Sequence, residues 1–277
     1  MNAEQIKSAA KAFGADLVGI ASIRQLEYLP PEQNPKSIMP NVKSIIVIGR
    51  RILRGALRGV EEGTSFGSTY NMFGANWQMN CFLNKSVNDL TREIENCGVE
   101  AVPMLPIIFP GEQIQLRPGQ AKANVVLDYQ LIAQAAGLGS VGKGGFFLTP
   151  EYGHRQRFGL ILVDYELEAD AIDTTDLCHN CQACADGCPL HAIDTTQTIK
   201  KGLPGFEKNC FVINQKLCAH CSNGCFGGSC DKFDRYAASC GRACMVALED
   251  KIGNKFVNKF RKRATWARDV RGKVIHS

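Results

Sequence analysis

The run Cys178-His-Asn-Cys181-Gln-Ala-Cys184-Ala-Asp-Gly-Cys188-Pro189 constrains this chain more than any other stretch. Its CxxCxxCxxxCP spacing is that of an iron–sulfur ligand run, in which three thiolates wrap one cubane and the fourth turns away to a second. A second cysteine set should therefore follow. It does, as Cys210, then Cys218-Ala-His-Cys221-Ser-Asn-Gly-Cys225, with Cys230, Cys240 and Cys244 beyond. Eleven of the 13 cysteines lie between 178 and 244, enough for two [4Fe-4S] clusters at four thiolates each. Structural zinc also uses CxxC pairs and is the alternative, although three thiolates at short spacing with a Cys-Pro corner suit a cubane better. A disulfide framework does not suit a chain this long that opens on a helix-like pattern without a signal-peptide stretch.

With 45% hydrophobic and 21% charged residues over 277 positions, the composition is that of a globular protein with a sizeable core, in one large domain or two ordinary ones. No apolar run approaches the roughly 20 residues of a membrane span, and Arg50-Arg51 comes too late for a twin-arginine leader. A reduced, cytoplasmic protein is expected. The net charge of +5 is too mild to argue for nucleic acid by itself. From Lys251 onward nine basic residues face one acid, Asp269, which reads as a solvated tail or, as the minority reading, an RNA or protein contact.

Ile6, Ala9, Ala10 and Phe13 at helical spacing, closed by Gly14, predict a helix over 2–13. Ala15–Ala21 and Ser44–Ile48 read as buried strands on either side of a proline-rich loop at 30–40. The Gly-rich stretch 55–74 reads as an exposed loop around an active site. Met79, Phe82, Leu83, Ser86, Val87, Leu90, Ile94 and Cys97 share a helix face ended by Gly98, which puts Cys97 among core residues. A short strand at 100–102 follows. The segment 103–119, with four prolines, wraps over a pocket. A helix is expected over 126–136 and a buried strand over 158–163. Asp164–Asp176, with six acids, is expected to be the domain boundary.

Residues 136–164 read AGLGSVGKGGFFLTPEYGHRQRFGLILVD, and Gly137, Gly139 and Gly142 formally satisfy GxGxxG. A dinucleotide site needs a strand before those glycines and a helix after. The order here is reversed, so that reading is rejected. The AGLGxxGKxGxxLTPEYG stretch, followed by an apolar strand, an acidic linker and the CxxCxxCxxxCP run, resembles the superfamily of epoxyqueuosine reductases and reductive dehalogenases. The resemblance runs from the N-terminal helix to about Cys225. It implies an α+β chain with a nitroreductase-like cobalamin-binding domain at 1–165, a bacterial-ferredoxin-like domain with two [4Fe-4S] clusters at 166–250 and a basic tail at 251–277. It further implies that Cys178, Cys181, Cys184 and Cys225 hold one cluster, and Cys188, Cys210, Cys218 and Cys221 the other. Cys230, Cys240 and Cys244 are then left over as buried thiols, substitute ligands or a further metal site.

By the same resemblance the corrin would pack against Ala136, Gly137, Leu138, Gly139, Ser140, Gly142, Lys143 and Gly144. Arg155 and Arg157 would meet its phosphate or propionamide groups, or else the acids of 164–176. No DxHxxG corrinoid motif occurs, so a base-off cobalamin is implied. A reductase must also deliver protons, and the candidates are Tyr70, Asp128, Tyr129, Lys143 and His154. Each has a plain structural alternative: Tyr70 in a loop, Asp128 as a helix cap, Tyr129 in the core, Lys143 and His154 in solvated turns. Where the resembled enzymes carry an acid ahead of the glycine run stand Ala123 and Asn124. His179, His191 and His220 read as surface or supporting residues beside the thiols.

The reading that follows is a corrinoid-dependent iron–sulfur reductase. It would take electrons from a ferredoxin or flavodoxin and act on a small molecule or modified nucleoside, with tRNA as a special case. An accessory protein that reduces or delivers a partner's corrinoid is the second class. A flavin in place of cobalamin is the third.

Overall fold

The computed structural model of the chain describes all residues except 63–66, 107–116, 122–124, 222–225, 228–232, 254–255, 261–265, 269–273 and 277. Cys225, Cys230, Ala123, Asn124, most of the proline-rich 103–119 segment and much of the basic tail lie outside the described residues.

In chain order the helices are α1 (Ala3–Ala12), α2 (Arg58–Glu62), α3 (Asn84–Glu95), α4 (Tyr129–Ala135), α5 (Ala183–Asp186), α6 (Gln215–Ala219) and α7 (Ser239–Leu248). The strands that matter below are β1 (Leu17–Ser22), β2 (Ser44–Arg51), β3 (Ala101–Met104), β4 (Ser140–Val141), β5 (Phe147–Leu148), β6 (Gln156–Val163), β7 (Ile193–Lys201) and β8 (Lys208–Ile213). The chain forms two compact units, both discontinuous. One comprises Met1–Arg51, Trp77–Leu138 and Arg157–Asp173, and the other Ile52–Asn76, Gly139–Gln156 and Thr174–Ser277.

The first unit is built on a four-stranded sheet of order β1-β2-β6-β3. The continuous apolar runs of β2 and β6 occupy its two inner positions, as strands covered on both faces require. α1 begins in a capping box: Asn2 accepts from the Gln5 N–H at 2.9 Å and Gln5 accepts from the Asn2 N–H at 2.9 Å. Ile6 and Ala10 of α1 join Leu83, Val87, Leu90 and Ile94 in one core with Ile46, Ile48, Ile161 and Val163 of the sheet. Each buried Ile, Leu or Val among them contributes roughly 1.5–3 kcal/mol.

Several expectations shift here. α3 is preceded by π-helical turns at Gln78–Leu83 and ends at Glu95, so Cys97 falls in the turn beyond and is exposed, not in the core. α4 starts three residues late because the Asp128 carboxylate caps it, accepting from the N–H groups of Gln130 and Leu131. The acidic segment is docked as far as Asp173: Asp170 accepts from Lys7 at 2.5 Å and from the Ile20 N–H at 2.9 Å, and Ser44 accepts from the Leu167 N–H.

The second unit holds the thiols. The stretch expected as an exposed loop at 55–74 is helical over its described residues, with α2 followed by π-helical turns at Gly67–Asn76. Tyr70 is fully buried there, among Ile52, Leu57, Ala237, Met245 and Phe260, and its hydroxyl lies 2.9 Å from both carboxylate oxygens of the buried Asp234. A glycine-rich composition signals permissive backbone, but a partner 164 residues away decided what the backbone did. Tyr70→Phe should therefore cost about 1–3 kcal/mol by stripping a buried carboxylate of a donor. A denaturant midpoint unchanged from the parent chain would show that the hydroxyl carries no weight.

Candidate iron–sulfur site

Local turns set the first cysteines. The Cys181 N–H donates to the Cys178 carbonyl at 3.0 Å, Asn180 takes a left-handed φ of 51°, and α5 then carries Cys184 and turns at Gly187 into Cys188. The Ala192 N–H donates to Cys188 Sγ at 3.3 Å, the kind of contact that steadies a thiolate. α6, capped by Asn214, carries Cys218, and Cys221 closes the next turn with its N–H on the Cys218 carbonyl. α7 carries Cys240 and Cys244, both buried. Cys184, Cys188, Cys218, Cys240 and Cys244 belong to a single buried cluster walled by Phe146, Leu148, Leu177 and Phe211. Among the described residues no three Cys, His, Asp or Glu side chains are disposed to hold a single metal ion. The thiols instead ring a pocket, in which Cys188, Cys218, Cys221 and Cys240 face one another beside Ile193 and Arg235.

The glycine turn after α4 leans on these thiols. β4 and β5 form a small hairpin, with Ser140 opposite Leu148 and Val141 opposite Phe147. At its tip the Gly142 N–H donates to the Phe146 carbonyl at 2.7 Å and the Gly145 N–H to the Gly142 carbonyl at 2.8 Å. A Cβ on Gly142 would stand 2.8 Å from Cys178 Sγ, and one on Gly144 would stand 2.6 Å from Cys184 Sγ. Between them the Lys143 N–H donates to the Cys178 sulfur. Arg235 fastens the turn, donating to the Gly144 carbonyl at 2.7 Å while its guanidinium lies 4.5 Å over Phe146. The Cys210 thiol donates to the Gly142 carbonyl at 3.5 Å.

Burial pushes the Cys184 thiol from the ordinary 9.0 up to about 12 and Cys240 up to about 11. It also raises Cys178, Cys210 and Cys244. At Cys184 and Cys240 the neighbouring thiols add to the rise and Arg235 opposes it. Metal binding must therefore expel protons. In the metal-free chain a raised folded-state pKa gives stability that is present below 9.0 and lost as pH climbs through 11 to 12. The metal-free chain should unfold at clearly lower denaturant at about pH 10 than at about pH 8, and the metal-loaded chain should not. Equal midpoints at both pH values would contradict this.

Most of the residues expected to meet a corrin are buried. Ala136, Leu138, Gly139, Ser140, Gly142 and Gly144 are buried by the chain itself, while Gly137 and Lys143 are half-buried. A Cβ on Gly139 would stand 2.0 Å from the Leu148 carbonyl oxygen, so this glycine serves the hairpin. Arg155 is buried and donates to the Ile52 carbonyl at 3.1 Å, and Arg157 is half-buried at the start of β6. Among the proton-donor candidates, Asp128 caps α4 and Tyr129 is half-buried at its start. Lys143 extends toward the Phe211 ring, 6.0 Å from its centroid. His154 is no solvated turn residue: it is buried, stacked on Phe146 with centroids 4.8 Å apart, and its Nε2 lies 2.8 Å from the Gly241 carbonyl. Exposed His179 and His220 lie beside Asp176 and the Lys216 carbonyl. Asp234 and Arg235 carry no motif that marks a role. Their one signal was the charged pair in Asp-Lys-Phe-Asp-Arg, between two cysteine groups.

No protein-family model matches the chain. Over 200 residues it is 26% identical to the epoxyqueuosine reductase of Staphylococcus aureus, covering 69% of this chain and 46% of that protein. A stretch of 65 residues is 37% identical to the tetrachloroethene reductive dehalogenase of Desulfitobacterium hafniense, 22% of this chain and 12% of the other. Among solved structures, a reductive dehalogenase described with a mechanism for B12-dependent dehalogenation superposes with a TM-score of 0.55 at 18% identity. That superposition covers 87% of this chain and 31% of the other, and the likeness is one of fold. The chain spans about half the length of the S. aureus reductase.

Proposed function

We propose that this chain, a member of the superfamily of epoxyqueuosine reductases and reductive dehalogenases, is an oxidoreductase that uses two [4Fe-4S] clusters to reduce a corrinoid and, through it, a small molecule or modified nucleoside. The observation that carries this reading is the gathering of Cys184, Cys188, Cys218, Cys240 and Cys244 into one buried cluster, with Cys178 packed against it and Cys221 lining the same pocket. When bound, such clusters supply one-electron transfer at low potential. The first unit would be nitroreductase-like and the second ferredoxin-like. The donor would be a ferredoxin or flavodoxin in a reducing cytoplasm, and tRNA the carrier of a nucleoside substrate.

The chain's own groups have definite tasks in this scheme. Lys143 and Ala192 N–H groups donate to Cys178 and Cys188, stabilising charge on sulfur and raising the potential. Phe146, Leu148, Leu177 and Phe211 keep water from the thiols. Arg235 places a fixed positive charge beside Cys184 and Cys240.

The chain itself buries most of residues 136–144, where the resemblance places the corrin. This favours one second reading: an accessory protein whose electrons go to a corrinoid held by a partner.

The test is anaerobic reconstitution with iron, sulfide and hydroxocobalamin, followed by desalting, metal analysis and an absorption spectrum. About eight irons and about one cobalt per chain support the reductase. About eight irons without cobalt support the accessory protein. A flavin spectrum would point to the third class, and zinc without acid-labile sulfide would sink the iron–sulfur reading.

A further inference from the structure

We propose that Cys244 is the fourth ligand beside Cys178, Cys181 and Cys184, and Cys240 the fourth beside Cys188, Cys218 and Cys221. The inference rests on the iron–sulfur reading above and concerns which thiols complete it. It departs from the ligand set implied by the resemblance, in which Cys225 and Cys210 hold those places.

The geometry points there from three sides. Cys184 and Cys188 stand four residues apart on and just after α5, and by the logic of the CxxCxxCxxxCP run one serves each cluster. Cys240 and Cys244 have the same spacing on α7, which puts both side chains on one helix face. α5 and α7 are held close at Gly187, where a Cβ would stand 2.6 Å from Ala243 Cβ and 3.3 Å from the Ser239 carbonyl oxygen. Two Cys-x-x-x-Cys pairs, one on and just after α5 and one on α7, thus lie on packed elements. Each splits its thiols between two sites.

Cys240 lines the pocket with Cys188, Cys218 and Cys221. At Cys244 the thiols felt are Cys178, Cys184 and Cys181, followed by Cys240, and Cys184 in turn feels Cys240. Cys210 lies elsewhere: it belongs to β8, donates to the Gly142 carbonyl at 3.5 Å, and has Cys178 as its thiol neighbour. The second ligand run is thus Cys218-x-x-Cys221 followed, after an insertion, by Cys240-x-x-x-Cys244.

The experiment compares the full chain with C240S, C244S, C210S and C225S, each purified anaerobically and reconstituted, by iron and acid-labile sulfide content and by electron paramagnetic resonance after reduction. C240S and C244S should each fall from about eight irons to about four, and the broadening caused by two neighbouring reduced clusters should collapse to the signal of one. C210S and C225S should retain the full complement. Met245→Ala, which removes more buried volume from the same helix, controls for packing and should also keep its iron. Full iron and an unchanged spectrum in C240S and C244S, with loss in C210S and C225S, would overturn the ligand assignment and leave the iron–sulfur reading standing. Parent chain without sulfide-bound iron would overturn both.

Discussion

Gly139→Ala should leave the second unit unable to hold its fold, with a loss above about 4 kcal/mol against a typical total of roughly 5–15. The residue sits at φ 144°, which an L side chain rarely adopts. Its Cβ would also lie 2.0 Å from the Leu148 carbonyl oxygen, 3.0 Å from the Leu148 carbonyl carbon and 3.2 Å from Thr149 Cα. All three are backbone atoms of a hairpin paired at Ser140 and Leu148, so relief requires breaking that ladder. The turn at 142–145 that touches the thiols would move with it. Gly98→Ala is the matched control, because Gly98 also has a positive φ, 77°, but a Cβ there meets nothing within 4 Å. It should cost only about 1–2 kcal/mol. Denaturant unfolding of the two metal-free variants reads the difference, and equal midpoints would show that the close approach at Gly139 is not there.

Gly144→Ala should keep the fold and lose metal, from about eight irons to about four. Here the added Cβ meets a ligand: 2.6 Å from Cys184 Sγ and 3.1 Å from Cys184 Cβ. A free thiol could rotate aside at little cost, but a thiolate bound to iron cannot leave its place without leaving the metal. The loss should fall on the set holding Cys178, Cys181 and Cys184 and spare the one holding Cys188. Gly142→Ala should act on the same set, with its Cβ 2.8 Å from Cys178 Sγ and 2.7 Å from Leu148 Cδ1. Far-ultraviolet circular dichroism separates loss of metal from loss of fold. Gly144→Ala with full iron content would mean that the turn does not press on the site.

These glycines illustrate how much was legible. That the run at 137–144 demands close approach can be read from its composition. What approaches cannot, and the protein atoms against it are its own hairpin and two cysteine sulfurs. The helix of 2–13 and the strands at 44–48 and 158–163 were likewise readable, because each is set by capping residues and by apolar runs that only a covered strand tolerates. Cys97 failed by two residues: the apolar stripe runs through it, but α3 stops at Glu95.

The amino-acid sequence by itself determined that Cys178, Cys181, Cys184 and Cys188 would lie near one another, since only two or three residues separate each from the next. Only the tertiary structure decided their company. Tyr70 found Asp234 across 164 residues, and Cys240 and Cys244 reached the earlier thiols because α7 packs on α5. Short spacings fix a local geometry through the few torsions between them, whereas a contact separated by some 50 residues depends on every fold-wide packing choice in between.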